Sequence, residues 1–220
     1  MKVRRHVRAV GVALVVVLGL VGCGSDSDSD ESSTEERPAE TSAETTPPTP
    51  RSVPAGYIDV RDAETGVSVA VPQDWQQVPL NAATLRQQAD AVRAENPKLA
   101  DTLDSAEALI GGGGKLFAIH PDGESNVNLI VTDSEGAKLE DIPGPAVREL
   151  RSRGATIESQ ERTTLGGDDA VKVTMKFPVS ASQTVDEVQY YVIKRGRAYI
   201  LTLTGRDPAL DVIAKSMAIS

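Results

Sequence analysis

Residues 155–204 read ATIESQERTTLGGDDAVKVTMKFPVSASQTVDEVQYYVIKRGRAYILTLT, and the fold turns on this stretch. Three runs, ATIESQERTTL, DAVKVTMKFPV and VDEVQYYVIKRG, are rich in β-branched and aromatic residues, and a fourth, AYILTLTG, closes the series. Such runs bounded by turn formers are strands. Gly166-Gly167-Asp168-Asp169 and Arg195-Gly196-Arg197 are tight turns between neighbours. Connections this short force adjacent strands to run antiparallel, because a parallel pair needs a long crossover. Tyr190 and Tyr191 are consecutive on a strand and point to opposite faces, so one of them belongs to the core.

Outward from the meander, KLFAIHPDG and NVNLIVTD pair across His120-Pro121-Asp122-Gly123, a run of turn formers. A short helix is predicted at Gly144–Arg153. Further back, YIDVRDAETGVSVAVP gives two strands around a turn at Ala63–Gly66. Val67, Val69 and Val71 alternate there with Ser68 and Ala70, the period of a strand with one buried face. Trp75 follows as a core anchor. The period then changes. Leu85, Ala89 and Val92 recur at helical spacing behind a candidate N-cap, Asn81. A second helix starts at Asn96-Pro97, lines Leu99, Leu103, Ala106 and Ile110 on one face, and stops at Gly111. The chain closes on a helix with Asp207 as N-cap and Pro208 at its first position, turning Leu210, Ile213, Ala214 and Met217 inward. These elements predict an α+β domain over residues 55–220, with a mainly antiparallel central sheet and helices packed on its faces.

The other end of the chain is of a different kind. MKVRRHVR carries four bases and no acid, and Ala9–Val21 carries no charge. A charged start and a short apolar run ending in small residues mark an export signal over residues 1–22. Thirteen helical residues reach ~20 Å, short of the ~30 Å of bilayer hydrocarbon. Residues 24–54 hold eight acids, two bases and a single large apolar residue, Val53. Such a composition cannot offset the entropy of ordering and is read as a disordered acidic, proline-rich tether. Its Asp26, Asp28 and Asp30 lack the Gly and Glu that a calcium loop needs at its sixth and twelfth positions. The domain keeps 24 acids and 17 bases, a balance that disfavours nucleic acid as a partner.

Leu20-Val21-Gly22-Cys23 resembles the lipobox of bacterial lipoproteins: a branched apolar residue, two smaller residues and cysteine. That resemblance implies a diacylglyceryl group on Cys23 and cleavage that leaves Cys23 first, with residues 23–54 tethering the domain to the membrane. Cys23 is the single cysteine of the chain, so no internal disulfide is available. The domain shows a second likeness. Val69-Ala70-Val71-Pro72-Gln73-Asp74-Trp75, then Thr164-Leu165-Gly166-Gly167-Asp168-Asp169-Ala170-Val171, then the Asp207–Met217 helix, come in the order seen in the Mog1/PsbP-like fold. With the lipobox, the chain is similar to exported actinobacterial lipoproteins of the LpqN type. The resemblance implies an α/β/α sandwich and a place on the extracytoplasmic side of the cell membrane. It brings no catalytic residues with it.

The residues themselves supply no catalytic set. The domain has one histidine, His120, in a turn, and no nucleophile motif precedes a helix. One histidine and no spare cysteine leave no ordinary zinc site. Gly111–Gly114 with Lys115 lacks the Ser or Thr and the helix of a phosphate loop, and reads as a flexible helix-to-strand joint. No cofactor is expected. The sequence therefore predicts a monomeric, membrane-anchored protein that binds or scaffolds without catalysis. Its partner is a small apolar ligand or another envelope protein, held between residues 81–110 and the sheet. The competing expectation is a hydrolase of cell-wall material working with two carboxylates.

Overall fold

The structure, a computed structural model, describes residues 52–78, 80, 109–180 and 183–220. Among these residues ten strands follow the chain: β1 (Tyr57–Asp62), β2 (Val67–Pro72), β3 (Gln76–Gln77), β4 (Gly114–Ile119), β5 (Asn126–Asp133), β6 (Thr156–Leu165), β7 (Asp168–Ser180), β8 (Gln183–Lys194), β9 (Arg197–Thr204) and β10 (Ala218–Ile219). Helix α1 spans Pro143–Ser152 and helix α2 spans Ala209–Ser216.

Seven strands form one sheet in the order β3-β4-β5-β9-β8-β7-β6, and every pairing is antiparallel. The meander is as its short turns require. Leu165 pairs with Asp168, and Lys194 with Arg197. Gly166 and Gly167 have φ of 63° and 90°, and Arg195 and Gly196 have 52° and 73°. Two consecutive positive φ values match the right-handed twist of the strands they join, and glycine adopts them without strain.

Both faces of this sheet are apolar over much of their area, so two further layers cover it. On one face, α1 presents Pro143, Ala146, Val147 and Leu150, the three-and-four spacing of an inward stripe, to a core containing Phe117, Ile130, Val173 and Met175. On the other, Val67, Val69 and Val71 of β2 and Leu210, Ile213 and Ala214 of α2 pack over Val127, Leu129, Leu201 and Leu203. Asp207 Oδ1 accepts from the Ala209 N–H at 2.7 Å, but the N-cap position falls to Pro208, one residue later than the sequence reading placed it.

The structure departs from the sequence reading in the place of the first hairpin. β1 and β2 are not in the central sheet. They pair with β10 in a three-stranded sheet ordered β1-β2-β10, which is laid across the second face. β10 and the two-residue edge strand β3 carry no sequence pattern long enough to read. Lys194 Nζ ties the layers, reaching Asp168 Oδ2 at 2.9 Å and the Ile219 carbonyl at 2.7 Å.

The two helices expected at 81–110 lie outside the described residues except for a closing turn at 109–111, where Leu109 is buried. The glycine run after that turn is a tight joint. Gly113 has φ of 83°, a Cβ there would collide with the Val131 carbonyl oxygen, and the Val131 N–H donates to Gly113 O at 3.0 Å.

Candidate functional site

The middle of the central sheet is polar on the α1 face. β5, β9 and β8 alternate polar and apolar residues, and their registers align the polar ones into rungs. Asn126, Thr204 and Glu187 stand in one rung, and Asn128, Thr202 and Gln189 in the next. Ile130, Ile200 and Tyr191 make the third. All six polar residues of the first two rungs are at most 4% exposed. Side chains two residues apart on a strand share a face, so the three strands project them together.

Within the row, Tyr191 Oη donates to Gln189 Oε1, and Gln189 Nε2 donates to Glu187 Oε1 at 2.8 Å. This relay runs along β8 alone. Among the described residues nothing meets Glu187 Oε2, Asn126 Oδ1, Asn128 Oδ1, Thr202 Oγ1 or Thr204 Oγ1. A buried polar atom left so costs roughly 1–3 kcal/mol, and native proteins meet such atoms with water or ligand. Five on one patch of sheet is a concentration that packing alone does not explain. Burial pushes the Glu187 carboxyl up to about 7, against the opposing pull of the Gln189 amide. Burial, with the nearby Glu187 charge, likewise pushes the Tyr191 phenol up.

Hydrophobic residues border the row. Phe117 and Ile119 of β4 stand beside Asn128 and Asn126, and Val173 and Met175 of β7 stand beside Gln189 and Glu187. The site is thus a polar floor three strands wide with apolar walls.

At the end of these strands lies a cleft of about 880 Å³, lined in part by Asp122, Glu124, Asp186, Arg206 and Asp207. His120 is not a free turn residue there. Its Nδ1 is 2.7 Å from Asp122 Oδ1, its Nε2 is 3.3 Å from Asp207 Oδ2, and its ring meets Trp75 edge-on at 5.6 Å. Trp75 is buried, as a core anchor should be. Two carboxylates of the cleft, Asp186 and Asp122, are held by partners. Asp186 accepts from Arg206 Nε and from Lys176 Nζ, and these partners hold it below the usual carboxylate range. Asp122 is also held low: burial pushes it up, but the Glu124 N–H and His120 outweigh that. A glycosidase needs one acid raised toward neutrality next to a second, ionised one. Among the described residues the single carboxyl raised that way is Glu187, and it is the single buried Asp or Glu.

Cys23, the residue expected to carry the lipid, and its flanking Leu20, Val21 and Gly22 lie outside the described residues, as does most of the 81–110 insert. The sequence reading passed over the buried row. Its signal was present as alternation in Glu187-Val188-Gln189-Tyr190 and Asn126-Val127-Asn128-Leu129. Among the described residues no cluster of His, Cys, Asp and Glu is arranged to hold a metal ion, and no helix is long and apolar enough to cross a membrane.

No protein-family model matches the chain, and no curated protein matches it. Solved structures do. Cyanobacterial PsbP (CyanoP) from Synechocystis superposes with a TM-score of 0.51 at 12% identity, covering 76% of this chain and 94% of its own. LpqN of Mycobacterium tuberculosis, described as involved in cell envelope biogenesis, superposes with a TM-score of 0.46 at 16% identity, covering 74% of this chain and 90% of its own. The fold of this chain is the PsbP-like α+β fold, a mainly antiparallel sheet with covering layers on both faces.

Proposed function

We infer that this protein is a lipid-anchored, extracytoplasmic protein of the cell envelope that binds a ligand or partner and does not transform it. The charged start, the short apolar run and Leu20-Val21-Gly22-Cys23 support the anchor and its address. The buried row supports binding. It concentrates five polar atoms that have no partner among the described residues, and it offers one carboxyl and no activated nucleophile to act on what it holds. The two-carboxylate hydrolase gains nothing from the geometry, because the cleft's Asp122 and Asp186 are both held low and paired.

Native mass spectrometry of the full-length protein extracted from its own membranes tests this reading. A retained mass, or an envelope protein recovered by crosslinking in intact cells, is the expected result. A bare protein mass with no crosslinked partner would sink it.

A further inference from the structure

Among the described residues four strands end the two sheets: β3 and β6 in one, β1 and β10 in the other. An edge strand carries a row of backbone groups ready to pair with another chain. β3 and β10 are two residues long, too short to take on a further strand. β6 is long, but a bulge between Ile157 and Ser159 breaks its edge. Symmetric pairing of β6 centred on Glu161 or Arg162 would also set like charges opposite each other. β1 has none of these defences. Its six residues, Tyr57-Ile58-Asp59-Val60-Arg61-Asp62, hold no proline, and their register with β2 is unbroken from end to end.

The sequence of β1 is self-complementary. Antiparallel pairing of two copies about a twofold axis at Val60 sets Asp59 opposite Arg61 of the second copy, and Arg61 opposite its Asp59. Centring the axis on Asp59 or on Arg61 would face like charges, so charge selects one register. The pairing with β2 gives the faces. Asp59 and Arg61 stand with Ala70 and Ser68, on the side away from the core. They already meet within one chain at 3.1 Å, with the Arg61 side chain 62% exposed. Ile58 and Val60 take the core side, aligned with Val71 and Val69. The cover on that side ends at β2. Val69 and Val71 are at most 1% exposed, whereas Ile58 is 37% exposed, the single large hydrophobic left so among the described residues. In the pair, Ile58 and Val60 of both copies make one apolar strip across the seam. Asp62, opposite the second copy's Ile58, brings no unmet charge there, because its carboxylate accepts from the Thr65 N–H at 3.1 Å.

We propose that two copies of this chain pair antiparallel along β1, centred on Val60, into one six-stranded sheet ordered β10-β2-β1-β1-β2-β10, with two reciprocal Asp59–Arg61 ion pairs on its outer face. The sequence reading expects a monomer; this edge makes the chain its own partner. Six residues give a seam about 20 Å long. That is small beside the roughly 1,600 Å² of a standard interface, so pairing is weak and rises with concentration. Copies anchored in one membrane, as inferred above, meet at a high effective concentration.

Sedimentation velocity of the full-length protein in detergent, over a concentration series, tests the pair. The parent should shift to dimer as concentration rises. Asp59→Arg and Arg61→Asp should each weaken association at least tenfold, since each variant opposes like charges. An equimolar mixture of the two variants should recover it, because the charges are then complementary in both ion pairs. A merely structural effect of either change would not be rescued this way. Hydrogen exchange reads the same edge in the parent: the β1 amides that point away from β2 should slow as concentration rises, and this decides the matter should either variant fail to fold. A parent that stays monomeric with these amides exchanging at a constant rate overturns the proposal. So do folded single variants that associate like the parent, or a mixture of them that does not recover. The buried row can hold a ligand in a monomer, and the pair can form with the row empty, so the two readings fail separately.

Discussion

The Gln189 side-chain amide donates to Glu187 Oε1 at 2.8 Å, two residues away on the same face of β8. That single bond is all that the described residues offer a carboxyl 2% exposed, and burial wins: Glu187 is pushed up to about 7. An unfolded Glu titrates near 4.3, so between about 4.3 and 7 the folded chain binds more protons than the unfolded one. Stability must therefore fall as pH rises through this window. The loss, complete above about 7, is on the order of 3 kcal/mol. Asp186, held low by Arg206 and Lys176, acts with the opposite sign and at lower pH, losing its contribution in acid. Chemical denaturation at intervals from pH 4.5 to 8 should show a declining stability. Glu187→Gln should flatten the decline. A variant that keeps the full slope would place its origin elsewhere.

Ser216 stands where a strand ends and its work continues. β10 pairs Ala218 with Ser68 and Ile219 with Val67. Two residues further along the same register, Ser216 of α2 faces Ala70, and its Oγ accepts from the Ala70 N–H at 2.8 Å while donating to the Ile213 carbonyl at 2.6 Å. A side chain thus replaces a backbone rung. Ser216→Ala leaves the Ala70 N–H buried and unmet, at a cost of about 1–3 kcal/mol. Urea denaturation measures it, with hydrogen exchange at Ala70 as the local reading.

Gly166 and Gly167 share a turn but differ in their surroundings. A Cβ on Gly166 would strike the Met217 carbonyl, whereas one on Gly167 would meet nothing within 4 Å. Both have positive φ, so each alanine carries roughly 1 kcal/mol of backbone strain. Gly166→Ala must also displace the link from α2 to β10, and should destabilise by roughly 2–4 kcal/mol. Equal losses in the two variants, measured by thermal unfolding, would mean that the link to β10 yields freely.

Cys23→Ala tests the anchor. Acyl chains contribute about 0.8 kcal/mol per buried CH₂, and two chains hold a protein stably on a membrane. The variant should move from the detergent phase to the aqueous phase in a partition assay. Continued detergent partitioning would mean that residues 9–21 remain as an uncleaved anchor.

Most of the meander was legible, because its two tight turns leave antiparallel neighbours no choice. Helix α1 and the inward stripe of α2 were legible for a similar local reason: three-and-four spacing acts within a few residues. The placing of the first hairpin was not. Val67, Val69 and Val71 announce one buried face, and nothing local says whether that face joins the central sheet or covers it. Pairing with β10, about 150 residues away, decides the matter.

The site is the sharper case. Alternation alone put Glu187, Gln189, Asn126, Asn128, Thr202 and Thr204 on one face of three strands, the pattern usual for a face in water. Which rungs they share depends on registers fixed by turns far apart in the chain. Whether water reaches them depends on what lies over the sheet. The sequence by itself determined strand order in the meander, the inward stripes of the helices and the charge balance, since each follows from neighbours. Tertiary structure alone decided that the polar face is buried, because burial belongs to the layer above a residue and not to the residue.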